Sequence, residues 1–342
     1  MMRKRLGRQT VQLQNPPSIL TWANIGSKME GKGPLAHYFD EINEDSFFGE
    51  KTWEKAESAM QKAVLKRALE RAKLSPGDMD YILAGDLLNQ CIGSSFSLRD
   101  FHIPFFGLYG ACSTMGESLA LAAMLIDGGF ADHAAAMTSS HFCTAERQYR
   151  MPVPYGSQRT PTAQWTATAA GCTILAADGS GPYITHVTCG RIVDMGIIDP
   201  NNMGAAMAPA ACDTLTAHFR ETGRTPADYD LIVTGDLGEL GREIVIDFLG
   251  RDGIDMRHNY NDCGLMLYDR KRQDMHAGGS GCGCCAAVLN GYLLRQLRQK
   301  ALNRILFAPT GALLSPTSTF QGESIPAICH AVVFSNEKEG AV

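Results

Sequence analysis

The 342-residue chain is 45% hydrophobic and 20% charged, and its formal net charge is −5. That composition predicts a substantial buried core and excludes a disordered chain. The acidic balance gives no reason to expect a nucleic-acid partner, because nucleic-acid binders usually carry a basic face. The eleven cysteines are an odd set scattered through apolar segments, which is typical of reduced thiols in a cytosol-like compartment.

The sequence predicts neither a membrane span nor a secretory signal. The longest apolar stretch follows Leu119 and stops at Asp127, well short of the roughly 20 residues that cross a bilayer. The basic start, "MMRKRLGRQT", continues into polar residues and lacks the apolar core of a signal peptide. We therefore expect a soluble protein whose membrane role would come through a partner.

Along the first half of the chain, helix and strand patterns alternate. "TWEKAESAMQKAVLKRALERAK" predicts a helix capped by Thr52, with early glutamates and late basic residues. "PGDMDYILAGDL" (Pro76 to Leu87) predicts a turn, a strand and a Gly-Asp-Leu loop. "GLYGACSTMGES" (107–118) then places Cys112 on a turn before the apolar helix pattern "SLALAAMLI". The strands "HAAAMTSS" and "TAAGCTILAAD" complete the half.

The second half repeats this order. A helix is predicted from Ala208, and "PADYDLIVTGDL" (Pro226 to Leu237) matches "PGDMDYILAGDL" at seven of twelve positions with an offset of 150. A second pair of segments, beginning at Gly107 and Gly278, matches at an offset of 171. "RILFAPTG" and "AICHAVVFSNE" are the closing strands. We therefore predict two duplicated halves, residues 1–180 and 181–342, in a layered α/β fold with mostly parallel sheets and central helices beginning at Cys112 and Gly283.

The Cys112 turn is open to three interpretations. A thiol at the positive end of a helix dipole would have a lowered pKa and could act as an acyl-accepting nucleophile. The same residue could instead be a small buried thiol at a tight crossing. In the third interpretation, the helix N-terminus with the Ser113 and Thr114 hydroxyls binds a carboxylate.

The duplicated halves and "GACSTMGES" resemble the thiolase and ketoacyl-synthase superfamily, whose acyl-carrying cysteine occupies that turn. The resemblance implies a five-layer αβαβα fold and covers nearly the whole chain. Seven ordered motifs are more closely similar to the stage V sporulation protein AD family: "ILAGDLLNQ", "GACSTMGES", "TSSH…TAERQYR", "MGAAMAPAACDT", "NDCGLMLYD", "AGGSGCGCC" and "TGALLSPTS". This resemblance implies a protein that binds dipicolinic acid (pyridine-2,6-dicarboxylate) and helps move it, with its calcium, into the developing spore.

The chain departs from the catalytic members of the superfamily at three places. Gly235 stands where the synthases carry a histidine, "AGGSGCG" lacks the expected asparagine or histidine, and the loop at "PTGALL" lacks the second thiolase cysteine. Condensation needs donors that stabilise an enolate and an oxyanion, so we expect a non-catalytic protein. The alternative is a condensing enzyme that forms an acyl thioester on Cys112, with His141, His258 or His276 as substitute bases.

We predict a ligand site for a flat dianion, held by a helix N-terminus, hydroxyl groups, backbone N–H groups and a basic side chain. The predicted residues are Cys112, Ser113, Thr114, Asp86, His141, Arg147, Gly279 and Ser280, with Arg150 as an alternative to Arg147. Asp86 and its repeat partner Asp236 are either ligands of calcium or water, or helix caps, and capping is favoured. "CGCC" (282–285) has no second pair of cysteines or histidines, so we predict no metal site.

The resemblance also implies partners and a location. We expect no cofactor, with dipicolinate, alone or with calcium, as the ligand. We expect a homodimer that pairs through the edge of the first-half sheet, and contact with the membrane subunits of the stage V sporulation protein A system. The expected location is the cytoplasm or the spore, peripheral to the spore inner membrane.

Overall fold

Two five-stranded sheets are built on one plan, one from each half of the chain. The computed structural model describes residues 4–149 and 159–339. The first-half strands are β1 (Ser18–Ser27), β2 (Tyr81–Gly85), β3 (Phe105–Gly107), β4 (His133–Ser140) and β5 (Ala169–Ala176). The second-half strands are β6 (Tyr183–Thr188), β7 (Leu231–Thr234), β8 (Tyr260–Asp262), β9 (Arg304–Ala308) and β10 (Ala331–Ser335).

The strand order is β3-β2-β4-β5-β1 in the first sheet and β8-β7-β9-β10-β6 in the second, and the sheets join where Ser18 pairs with Tyr183. In each sheet the first two pairings along this order are parallel and the other two are antiparallel. The predicted mostly parallel sheets are therefore wrong in part, because the closing strand of each half returns antiparallel beside the first strand. The proposed boundary after residue 180 falls between β5 and β6 and stays a prediction.

Helices form three layers around the two sheets. The first half contributes α1 (Trp53–Ala72), α2 (Ile92–Leu98), α3 (Thr114–Asp127) and α4 (Phe142–Tyr149). The second contributes α5 (Met203–Thr222), α6 (Gly238–Arg251), α7 (Cys263–Leu267), α8 (Cys282–Val288), α9 (Leu294–Arg298) and α10 (Pro316–Phe320). The central layer is α3 and α8, while α1 and α2 cover the first sheet and α5 and α6 cover the second.

Short elements complete the described chain. Short strands lie at Thr10–Gln12, Glu41–Asn43, Trp165–Thr166, Gly279–Ser280, Thr310–Ala312 and Ala327–Cys329. Single 3-10 turns lie at Glu30–Lys32, Ala36–Tyr38, Pro76–Asp78, Asn89–Cys91, Ala111–Ser113 and Pro226–Asp228, and a π-helical turn, Leu289–Leu293, joins α8 to α9.

Several predicted boundaries are confirmed and others are corrected. Thr52 caps α1 as predicted, since its side chain accepts a hydrogen bond from the Lys55 N–H. The helix predicted from Ala208 begins earlier, at Met203, because Asn202 provides the cap. "AICHAVVFSNE" is not one strand: its first part pairs with Thr310–Ala312, and its second part is β10.

The core follows from strands that are apolar on both faces. In β9, Ile305 and Phe307 point to the central helices, whereas Leu306 and Ala308 point to α5. Such strands belong between two helix layers, which is why they lack a polar face. The prediction that the central helices are buried is confirmed for α8 and for most of α3, although Leu121 is partly exposed.

Candidate functional site

The turn that carries Cys112 is held by its own hydroxyl groups. Ser113 Oγ donates to the Gly110 carbonyl at 2.7 Å, and Thr114 Oγ1 donates to the Ala111 carbonyl at 2.7 Å. Thr114 Oγ1 also accepts from the Gly110 N–H at 3.1 Å. Both side chains are buried and fully engaged in the turn. The structure therefore gives Ser113 and Thr114 a role in shaping the elbow, and neither lines the cavity beside it.

A narrow cavity lies over this elbow, between the two halves. As bounded by the described residues, it encloses about 50 Å³, room for a few water molecules at the usual requirement of about 10–15 Å³ each. The walls are mainly apolar, with a small number of polar groups. The lining residues are Leu87, Tyr109, Ala111, Cys112, Ala145, Glu146, Tyr149, Thr166, Pro200, Met203, Ser280, Ala312 and Leu314.

Cys112 is held as a neutral thiol. Its side chain is only 6% exposed, and burial, the nearby Asp236 carboxyl and the neighbouring Cys282 raise the pKa of Cys112 well above the ordinary thiol value. The lowered pKa predicted from the helix dipole is therefore wrong. Burial and the adjacent carboxyl raise the pKa of Cys112 by more than the N-terminus of α3 lowers it. Burying an uncompensated anion costs more free energy than the helix terminus provides.

Asp236 is the group that faces Cys112 from the second half. It is completely buried, and its carboxyl is close enough to the Cys112 thiol to raise the pKa of that thiol. Its Oδ2 accepts from Ser280 Oγ at 3.0 Å and from the Gly281 N–H at 3.1 Å, and its Oδ1 accepts from Thr310 Oγ1 at 3.2 Å. Burial raises the pKa of this carboxyl. The sequence prediction gave Asp236 the same alternatives as Asp86, a ligand of calcium or water or a helix cap, and missed its position beside Cys112.

Asp86 has a different role from its repeat partner. It accepts from the Ser94 N–H at 2.7 Å, from Ser94 Oγ at 2.6 Å and from the Leu88 N–H at 2.9 Å. The two bonds from Ser94 satisfy donors in the first turn of α2, as a capping carboxylate does, and the bond from Leu88 closes the loop before that helix. Asp86 does not line the cavity, so the structure favours the capping interpretation.

Of the remaining predicted residues, Ser280 lines the cavity and three do not. His141 Nε2 donates to the Ser46 carbonyl at 2.8 Å while its Nδ1 accepts from the Cys143 N–H at 3.2 Å, and burial lowers its pKa. Arg147 pairs with Glu54 at the surface, over the Trp53 ring. Gly279 is part of a short strand beside Trp165. Arg150 lies outside the described residues.

The proposed substitute bases do not reach Cys112. His258 is exposed and faces Asp255, and His276 Nδ1 donates to the Thr160 carbonyl at 2.6 Å. The described residues that line the cavity include no histidine, lysine or arginine. The part of the chain that the structure describes also holds no group of three His, Cys, Asp or Glu side chains arranged for a metal ion.

Two tyrosines that the sequence prediction missed bridge the cavity. Tyr149 at the end of α4 donates to the Leu87 carbonyl at 2.5 Å and accepts from Tyr109, also at 2.5 Å. Both rings line the cavity, and burial raises the pKa of Tyr109 to about 12. Each residue lies in a quoted motif, but only the fold shows that the strand-to-elbow loop and α4 meet.

Two matching sheets around shared central helices, with a cysteine on the first elbow, define a thiolase-like protein. Solved structures with this fold include 3-oxoacyl-[acyl-carrier-protein] synthase III from Aquifex aeolicus VF5, which is 13% identical with a TM-score of 0.58, covering 93% of this chain and 99% of that one. A variant of OleA from Xanthomonas campestris is 13% identical with a TM-score of 0.60, covering 94% and 99%. Human mitochondrial 3-ketoacyl-CoA thiolase is 11% identical with a TM-score of 0.56, covering 95% and 99%.

Within that fold the chain belongs to the stage V sporulation protein AD family. The family model matches residues 7–335. The chain is 44% identical over 331 residues to stage V sporulation protein AD of Bacillus subtilis (strain 168), covering 97% of this chain and 98% of that protein. Among the described residues, no helix is long and apolar enough to cross a membrane.

Proposed function

We propose that this chain is a non-catalytic thiolase-like protein that binds dipicolinic acid and supports its uptake into the developing spore. The membrane subunits of the stage V sporulation protein A machinery would provide the passage. The protein itself would act at the inner membrane surface, in the cytoplasm or the spore.

The observation that carries this proposal is the pairing of Cys112 with Asp236. A condensing enzyme needs a thiolate and donors for a developing oxyanion. Here a buried carboxyl occupies the position beside the sulfur and raises its pKa, and no described lining residue is a histidine. The elbow therefore favours binding without covalent chemistry.

The cavity walls suit a small flat aromatic ligand. Leu87, Met203 and Leu314 offer apolar surface to a pyridine ring, and the hydroxyl groups of Thr166 and Ser280 lie on the polar side. The present volume is smaller than a ring with two carboxylates. Binding would therefore widen the cavity, and we expect it to break the hydrogen bond between the Tyr109 and Tyr149 hydroxyls, which both line it.

Isothermal titration calorimetry with dipicolinic acid, with and without calcium, tests the proposal directly. We expect saturable binding, and little or none with the 3,5-dicarboxylate isomer, whose carboxylates are placed differently. Ala145→Leu should abolish binding because Ala145 lines the cavity. Ala227→Leu is the matched control at an exposed position. No saturable heat at millimolar ligand with the folded protein would refute the proposal.

The second candidate function is an acyl-thioester enzyme, favoured by the position of Cys112 on the turn before α3. Incubation with acyl-CoA followed by intact mass measurement separates the two functions. We expect no adduct on Cys112. Stoichiometric acylation followed by turnover would establish the enzyme and refute the non-catalytic proposal.

The exposed edge of the first sheet supports a homodimer. All three residues of β3 are exposed, and Phe106 of this strand and Phe96 of α2 keep 47% and 52% of their surface in solvent. An unpaired apolar edge strand pairs readily with another strand. Sedimentation analysis should give a dimer for the native chain and a monomer for Phe106→Lys, with Phe320→Lys as the exposed control. A native monomer would rule the dimer out.

A further inference from the structure

The two polar groups on the cavity floor, Ser280 and Cys112, lie beside the same buried carboxyl. Both residues line the cavity; Ser280 Oγ donates a hydrogen bond to Asp236 at 3.0 Å, and the Asp236 carboxyl raises the pKa of the neighbouring Cys112 thiol. Thr310 Oγ1 and the Gly281 N–H complete the set of donors to that carboxyl. The protonation state of Asp236 therefore determines whether the Ser280 and Cys112 hydrogens point to the carboxyl or to the cavity.

An ionised carboxylate only accepts hydrogen bonds, and a hydroxyl or thiol has a single hydrogen to donate. While Asp236 is ionised, Ser280 and Cys112 direct their hydrogens at it and turn lone pairs to the cavity. A ligand carboxylate then meets acceptors and a negative charge. Once Asp236 is protonated, its O–H can donate to Ser280 Oγ, and the Ser280 hydrogen is released toward the cavity.

We propose that Asp236 is the specificity-determining residue of the ligand site, and that a carboxylate ligand binds together with one proton taken from solvent onto Asp236. The inference rests on the proposed binding of dipicolinic acid. The proton moves to an Asp236 carboxyl oxygen, and the ligand remains a dianion. Asp236 acts as a positioning residue, because it reaches the ligand through Ser280 and Cys112.

The surroundings of Asp236 are consistent with this exchange. The titratable groups that face it from the elbow, α7 and α8 and the end of β8 are five thiols and one carboxyl: Cys112, Cys263, Cys282, Cys284, Cys285 and Asp262. The pKa of each thiol is raised by burial, so these groups stay neutral near pH 7. Burial and Asp236 raise the pKa of Asp262 to about 6, and burial already raises that of Asp236 itself.

The test is calorimetric titration of the full chain with dipicolinic acid, without calcium, from about pH 6 to about pH 8.5, where the ligand stays a dianion. For one linked proton, the Kd should rise about tenfold per pH unit where the linkage is complete. The binding heat should also depend on the ionisation enthalpy of the buffer and indicate uptake of about one proton. This second readout needs no variant.

Asp236→Asn should remove both the pH dependence and the proton uptake while binding persists, because the neutral amide neither titrates nor repels a ligand carboxylate. Glu30→Gln is the control: this buried acid has a pKa raised to about 7 by burial and lies in another hydrogen-bond group, with Tyr268 and Thr168. Its profile should match the native one. Saturable binding with a constant Kd and buffer-independent heat, or proton uptake that survives in Asp236→Asn, would overturn the inference. No binding at any pH would instead refute the proposed function.

Discussion

Asp86 and Asp236 occupy the same place in the two halves, each buried after a strand in a Gly-Asp-Leu loop. Asp86 bonds within its own half, to Ser94 and Leu88. Asp236 bonds to the loop before α8 and to Thr310, and its carboxyl raises the pKa of Cys112 across the halves. The same local sequence thus serves a helix cap in one copy and the floor of the cavity in the other.

The difference comes from what packs against each aspartate. In the first half, α2 places its first N–H groups over Asp86. In the second half, Asp262 supplies the corresponding bonds, to the Leu237 and Gly238 N–H groups at the start of α6. Asp236 is therefore free to face the elbow. Both copies of the repeat carry the carboxyl. In the second half the nearby Asp262 bonds to the start of α6, so Asp236 can have a different role.

The largest expected effect separates the two aspartates by stability. Asp86→Ala leaves two backbone N–H groups and a hydroxyl in the core without their acceptor, and should lower the free energy of unfolding by about 3 kcal/mol. Asp236→Ala leaves one buried N–H without an acceptor, whereas its hydroxyl partners can rotate. It should lower the free energy of unfolding by about 1–2 kcal/mol. Urea denaturation measures both. Equal losses would remove the distinction between cap and floor.

A second contrast concerns pH. Burial and the neighbouring Asp86 raise the pKa of Glu57 from 4.5 to about 8. Burial and the neighbouring Asp236 raise the pKa of Asp262 from 3.8 to about 6. An acid whose pKa is higher in the folded state binds its proton more tightly there, so stability falls as pH rises from the unfolded to the folded pKa. For Asp262 this decline ends near pH 6.

Glu57→Gln should therefore make the decline in stability above about pH 6 shallower, by roughly 1–2 kcal/mol at pH 8. Asp262→Asn should change the slope only below that pH. Urea denaturation at several pH values measures the slopes. A Glu57→Gln profile parallel to the native one above pH 6 would contradict the assignment.

The reactivity of the Cys112 thiol sharpens the comparison further. Removing the negative neighbour in Asp236→Asn should lower the thiol pKa and raise its alkylation rate about three- to tenfold. Asp86→Asn should leave the rate unchanged, since Asp86 does not contact the sulfur. Peptide mass spectrometry follows the modification, with the partly exposed Cys143 as internal reference. An equal increase in both variants would point to general loosening.

The smallest expected effect is on the rate at which the ligand enters the cavity. Tyr149→Phe removes the hydroxyl that links Leu87 to Tyr109, so dipicolinic acid should associate about two- to fivefold faster, because a net hydrogen-bond contribution of about 0.5–1 kcal/mol no longer opposes entry. Stopped-flow titration measures the rate, and Tyr292→Phe is the control, because Tyr292 packs edge-on against Tyr38 and does not line the cavity. An unchanged rate would show that the tyrosine pair does not limit entry.

The duplication was readable from the sequence because the repeated turn chemistry around Pro76 and Pro226 is local and leaves residue identities behind. The edge strands β3 and β8 and the helix α2 were missed, since they are short and set by tertiary contacts rather than by periodicity. Helix α6 was also missed, although it has 14 residues. Strand direction was partly wrong for the same reason: nothing local in β5 or β10 records which neighbour it will join.

At the site, Cys112 and Ser280 were predicted, and both line the cavity. Arg147 and His141 were predicted from their charge and type, but pairing with Glu54 and with the Ser46 carbonyl takes them elsewhere. The contact between Asp236 and Cys112 joins residues from different halves. A single sequence carries no signal for such a contact, because it depends on how the sheets close around α3 and α8.

The turns before the two central helices, α3 and α8, differ in the residue that takes the positive φ angle. Ala111 has a left-handed φ of 51°, whereas the second elbow uses Gly281 at φ 94°. A glycine at residue 111 would relieve roughly 1 kcal/mol of backbone strain. Yet Ala111 lines the cavity beside Cys112. A side chain is therefore kept at a position where backbone preference alone favours glycine, and its methyl group would limit how closely a ligand approaches the elbow.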